Sequence, residues 1–131
     1  MRQKYKSAWW SVELPDGWEA ERDEDCVTFT LQREIGVLQI SAYRRDDEIV
    51  TDKDLLEFAE DEIVEPANPQ SVSFSEFVGL EISHFADDSF LRKLWLRNGS
   101  LLLFVTYTCA AEESTVEAED VNLILKSLSS K

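Results

Sequence analysis

Few side chains in this sequence could do chemistry, and they are scattered. Cys26, His84 and Cys109 are its only soft or borderline metal ligands. A structural zinc site takes four ligands of that kind, so these three cannot complete one. The Asp-rich loop with a central glycine that marks a calcium site is also missing. No metal or other cofactor is expected. His84 is the only imidazole, so nucleophilic catalysis would use it as the base, with Cys109 as the nucleophile. A carboxylate pair is the other hydrolytic option, although 27 acids form close pairs by chance. His84 alternates with Leu80 and Ile82, as a histidine does at the edge of an apolar strand face, hydrogen-bonded to a neighbour. Phosphate cradles need glycine backbone against the ligand. The four glycines fall instead at turn-like positions: Asp16-Gly17, Gly36, Val78-Gly79 and Asn98-Gly99. This inventory points away from an enzyme.

Two surface patterns suggest binding instead. Asp54, Glu57, Asp61 and Glu65 recur three or four apart on one helix face, with Glu60 and Glu62 beside them. Like charges at that spacing oppose each other by roughly 0.2–0.5 kcal/mol per pair. Acids toward a helix C-terminus also oppose its dipole. By contrast, Glu112, Glu113, Glu117, Glu119 and Asp120 cluster at the favourable N-terminal end of the second helix. The first cluster therefore reads as a solvated face or as a docking stripe for a basic partner. The second pattern is Lys93, Trp95 and Arg97 on one face of a strand, with Arg92 adjacent. It reads as a basic-aromatic binding strip, or as a Trp packed beneath a helix with cationic stems crossing the rim.

The elements that must hold these residues are legible from periodicity. Strands are predicted near Trp9–Glu13, Trp18–Arg22, Cys26–Arg33, Val37–Arg44, Val72–Phe77, Leu80–Phe85, Phe90–Arg97 and Ser100–Cys109. Val27, Phe29 and Leu31 alternate cleanly with Thr28, Thr30 and Gln32. The run from Leu101 to Val105 is apolar on both faces and must be covered on both sides. Asn98-Gly99 reads as the two-residue turn of a hairpin, with φ > 0 at both positions. Helices are predicted at about Asp52–Val64 and Thr115–Leu128. Thr51 and Ser114 are their N-caps, and Ser114 to Glu117 has the form of a capping box. Leu55, Phe58, Ala59 and Ile63 form one buried stripe, and Val121, Ile124, Leu125 and Leu128 the other. The expected fold class is α+β, a mainly antiparallel sheet flanked by two main helices as an α/β/α sandwich.

The 131 residues are expected to form a single domain over 1–131, burying roughly two thirds of the unfolded surface. Charges interrupt every apolar run well short of the ~18 residues of a membrane span. The basic start, Met1 to Lys6, lacks the apolar stretch of a signal peptide, which suggests a cytoplasmic protein with reduced cysteines. Thirteen bases against 27 acids give a net charge of −14. That charge opposes nucleic acid and anionic membrane surfaces, and its complement is a basic protein.

Leu14-Pro15-Asp16-Gly17-Trp18, placed after an opening strand, resembles the start of domains with the PsbP-like fold. These include extrinsic proteins of the oxygen-evolving complex, a Ran-binding nuclear-transport factor and many small bacterial proteins. The order of strands and helices, the Val78-Gly79 turn, the hairpin Lys93–Tyr107 and the closing Ile124 to Leu128 are similar too. The matched motif is structural: Pro15 and Gly17 shape a turn and Trp18 anchors it. The resemblance implies a non-catalytic module that binds other proteins. One bacterial branch serves as adaptor chaperones for type VI secretion effectors, and this chain is shorter and more acidic than that branch. The expectation is an adaptor, chaperone or immunity-type protein. The alternatives are a small hydrolase-like enzyme using His84 with Cys109 or a carboxylate pair, and a small-ligand-binding domain.

Overall fold

A computed structural model describes residues 3–24, 26–31, 35–45, 48–59 and 69–130. Its strands are β1 (Gln3–Lys6), β2 (Trp10–Leu14), β3 (Trp18–Arg22), β4 (Val27–Leu31), β5 (Gly36–Arg44), β6 (Gln70–Phe74), β7 (Phe77–Ala86), β8 (Ser89–Asn98), β9 (Leu101–Ala110) and β10 (Ser129–Ser130). The helices are α1 (Asp52–Ala59) and α2 (Ala118–Lys126). Seven strands form one antiparallel sheet in the order β3-β4-β5-β9-β8-β7-β6, and β1-β2-β10 form a second, three-stranded one. The fold is therefore α+β and mostly antiparallel sheet. The small sheet was not anticipated. β10 has two residues, too short for a periodic signal, and Glu76 secures it by accepting from Ser130 N at 3.1 Å and Ser130 Oγ at 3.0 Å.

β9 lies at the centre of the large sheet, which explains its doubly apolar sequence. Leu103, Val105 and Tyr107 pack in one buried cluster with Leu94 and Leu96 of β8 and with Val121, Ile124 and Leu125 of α2. Leu102 packs in another with Trp95, Ile82, Val50 and the α1 residues Leu55 and Ala59. Alternation along β8 and β9 puts these two sets on opposite faces of the sheet.

Several local expectations need correction. The β8–β9 turn is Gly99-Ser100 rather than Asn98-Gly99. Asn98 stays in its strand, paired with Leu101, and its side chain donates to the Glu76 carbonyl at 2.9 Å. Only Gly99 of that turn has positive φ, at 58°. Val78-Gly79 is not a turn. It lies within β7, where Gly79 faces Leu96 and a Cβ would strike the Trp95 backbone. Glycine is needed there for close strand approach, and the turn falls at Ser75-Glu76. Gly36 begins β5, with the Tyr107 ring lying where its Cβ would be.

The second helix starts three residues later than predicted. Ala111–Glu113 forms a 3-10 turn with Ser114 as its C-cap, and Glu117 becomes the N-cap of α2. The Ser114 capping box does not form, because Tyr107 has taken the Glu117 carboxylate. The hydroxyl of Tyr107 donates to Glu117 Oε1 at 2.7 Å. At the other end of the chain's opening motif, Trp18 N–H donates to the Pro15 carbonyl at 3.3 Å, and Gly17 has φ 90°. That geometry fits a type II turn. The buried Trp18 ring then donates from Nε1 to Asp120 Oδ2 at 3.0 Å, fastening the turn to α2.

Candidate binding cleft

The residues singled out for catalysis are not assembled. His84 pairs with Leu91 and Cys109 with Phe90, adjacent positions of β8 that point to opposite faces of the sheet. The sheet itself separates imidazole from thiol. His84 Nδ1 is buried with no hydrogen-bond partner among the described residues, contrary to the expected neighbour. Cys109 is 5% exposed, and burial is the main cause pushing its thiol pKa above the ordinary value. Both cysteines are free. Val27, next to Cys26, pairs with Ile40, while Cys109 pairs with Gly36, four residues or ~13 Å along the same strand. A disulfide cannot span that offset.

The two binding patterns do come together, because α1 lies over β8. Lys93, Trp95 and Arg97 share a face, as predicted, but Trp95 is only 2% exposed and stacks on Phe104 at 5.5 Å. It is packing beneath a helix. Arg97 Nε donates to Asp52 Oδ1 at 2.8 Å and ties the start of α1 to the sheet. Lys93 is half-buried beside them. Asp54 is no repelled surface acid. Its carboxylate accepts from Thr51 N at 2.9 Å, and Thr51 Oγ1 accepts in turn from Asp54 N at 3.2 Å. This is a reciprocal capping box, completed by Arg45 Nη1 at 2.6 Å. The Thr51 backbone N–H, then its hydroxyl and Arg45, hold the Asp54 pKa below the usual carboxylate value. Its place in the first turn also suits the helix dipole. Glu57 remains an exposed acid with no ion-pair partner among the described residues. Asp61 and Glu65, with Glu60, Glu62 and Ile63, lie outside the described residues.

Among the described residues, a cleft opens beside α1. Leu55 and Ala59 turn inward, one helical turn apart, and are fully buried. Phe58 does not follow them, contrary to the predicted stripe. It is 54% exposed and stacks on Tyr43 of β5, itself 50% exposed, with ring centroids 6.1 Å apart. Tyr43 pairs with Leu102 across the sheet, so that leucine becomes the floor. Two hydrogen bonds fix the segment entering α1: Arg45 N to Ser100 O at 2.9 Å and Val50 N to Gly99 O at 2.8 Å. The result is a hollow of about 320 Å³ between Tyr43, Phe58 and Leu102, with Glu57 and Asp54 on its helical rim. A smaller hollow of about 220 Å³ adjoins it over Trp95 and Phe104. Ile49 and Leu56, both mostly exposed, extend the apolar character around α1. Sequence periodicity missed Tyr43 and Phe58 as a pair. The available signal was an aromatic at the end of β5 facing an over-wide apolar stripe on a helix.

No protein-family model matches the chain, and no curated protein matches it in sequence. Solved structures do. A protein from Bacteroides thetaiotaomicron superposes with a TM-score of 0.72 at 18% identity, over 98% of this chain and 48% of its own. The chain thus spans about half the length of that protein. Cyanobacterial PsbP from Synechocystis sp. PCC 6803 gives 0.66 at 11% identity, covering 99% of this chain and 92% of its own. The fold is PsbP-like. LpqN of Mycobacterium tuberculosis, described as involved in cell envelope biogenesis, gives 0.63 at 10% identity over 99% and 91% of the two chains. At such identities the likeness carries the PsbP-like fold alone. Among the described residues, no helix is long and apolar enough to cross a membrane.

Proposed function

We propose that this PsbP-like domain is a non-catalytic protein-interaction module, an adaptor or chaperone whose partner docks over the cleft beside α1. The single observation carrying this reading is the stacked, half-exposed pair Tyr43 and Phe58 over an apolar floor. Exposed aromatics around a hollow are typical anchors of binding surfaces, where they bury large area with few rotatable bonds. The separation of His84 from Cys109 by the sheet supports a non-enzymatic role. So does the use of Asp54, Arg45, Arg97 and Asp52 as struts that hold α1 in place. We read the helices and large sheet as a three-layer sandwich.

The test is photo-crosslinking in the native cell, with a benzophenone amino acid replacing Phe58 or, as a control, the exposed Val116. A discrete protein adduct from position 58 and none from position 116 supports the reading. Adducts equally abundant from both positions, or from neither, contradict it.

A further inference from the structure

We infer, on the protein-binding reading above, that the cleft accepts a basic segment of its partner: one large apolar side chain seats between Tyr43 and Phe58, and an adjacent Lys or Arg pairs with Glu57. The apolar half follows from shape. At about 320 Å³ the hollow is at the small end of the ~300–1,000 Å³ range of ligand pockets. It is also open along one side, so it suits a side chain presented by a passing segment better than an enclosed molecule.

The basic half follows from which charges at the mouth are already neutralised. Arg45 pairs with both Glu48 and Asp54 at 2.6 Å. Arg44 also lines the hollow, but its guanidinium is engaged 5.9 Å from the centre of the Trp9 ring. Glu57 is left on the rim as a carboxylate without an ion pair among the described residues. Among the described residues of this segment, Glu48 and Asp54 are held by Arg45 and Asp52 by Arg97, so Glu57 is the acid still open to a cation. An acidic segment would meet Glu57 as a like charge; a basic one pairs with it, which raises its rate of encounter.

Fluorescence anisotropy with short synthetic peptides tests this directly, with 15N chemical-shift mapping to locate the contact. Three peptides share one length: alternating Leu and Lys, the same with Lys changed to Glu, and the same with Leu changed to Ser. The Leu-Lys peptide should bind, shift Tyr43 and α1, and weaken as salt rises. Its affinity should fall about tenfold with Glu57→Lys, and again with Phe58→Ala, while melting temperatures stay near wild type. Binding of the Leu-Glu or Ser-Lys peptide as tightly, failure of the Leu-Lys peptide to bind, or shifts confined to another surface would each overturn the inference. So would a dimer of this chain that Phe58→Ala dissolves, because a second copy would then be the occupant. If position 58 crosslinks a protein in cells while the Leu-Lys peptide fails, only the partner chemistry is wrong. If both fail, the protein-binding reading falls with it.

Discussion

At the scale of single residues, the buried pair Tyr107 and Glu117 is the most consequential contact absent from any motif. Glu117 is 2% exposed, and its Oε2 has no partner among the described residues, so the tyrosine hydroxyl is what its carboxylate holds. Tyr107→Phe should therefore destabilise the fold by about 1–3 kcal/mol, read by chemical denaturation, because it strands the second carboxylate oxygen as well. A loss below ~0.5 kcal/mol would mean the contact contributes little. Burial, then the Glu117 hydrogen bond, drives the Tyr107 pKa far above its ordinary value, and burial raises Cys109 too. The unfolded chain then gives up these protons first. Stability should be full below about pH 9 and decline progressively above it. Tyr107→Phe should flatten that alkaline decline. Thiol chemistry offers a second check at this scale. Denatured, non-reduced protein should titrate as two free thiols, and in the native state Cys26 should alkylate faster than the buried Cys109. Equal rates would contradict the burial of Cys109.

At the scale of elements, periodicity located the central strands and helices well, because alternation and the helical stripe report directly on burial. It failed where a residue's role depends on a partner distant in sequence. Gly79 looks like a turn until Trp95 is beside it. Ser114 looks like a cap until Tyr107 claims Glu117. Asp54 looks like a misplaced acid until Thr51 and Arg45 surround it. Phe58 looks like core until Tyr43, distant in sequence, is found stacked on its ring. The cap makes a pH prediction. The Asp54 carboxyl is held below its ordinary value by the Thr51 N–H, and Glu76 likewise by the N–H of Ser130. Both contributions are present above the unfolded carboxylate pKa near 4 and are lost as pH falls through the lower folded values. Amide exchange in α1 and β10 should accelerate below about pH 4 before the rest of the sheet opens, and Asp54→Asn should remove the acid dependence of α1. Exchange in α1 that ignores pH over this range would contradict the role given to Asp54. Leu125, fully buried where α2 meets the sheet, should cost about 2–5 kcal/mol as Leu125→Ala.

At the scale of the molecule, the PsbP-like likeness was legible from Leu14 to Trp18 and from element order. The cleft was not, since no sequence window contains Tyr43, Phe58 and Leu102 together. α1 and α2 pack against the large sheet, and among the described residues Tyr43, Phe58 and Leu102 line an open hollow beside α1. If that hollow is where the protein acts, removing its walls must abolish recognition without disturbing the fold. The deciding measurement is the dissociation constant of the protein crosslinked through position 58, compared for wild type and the Tyr43→Ala/Phe58→Ala double variant. The affinity should fall by a factor of about ten or more, as for loss of central aromatic anchors, with the far-ultraviolet circular dichroism and melting temperature little changed. An unchanged dissociation constant in a folded double variant would contradict the assignment of the cleft as the binding site.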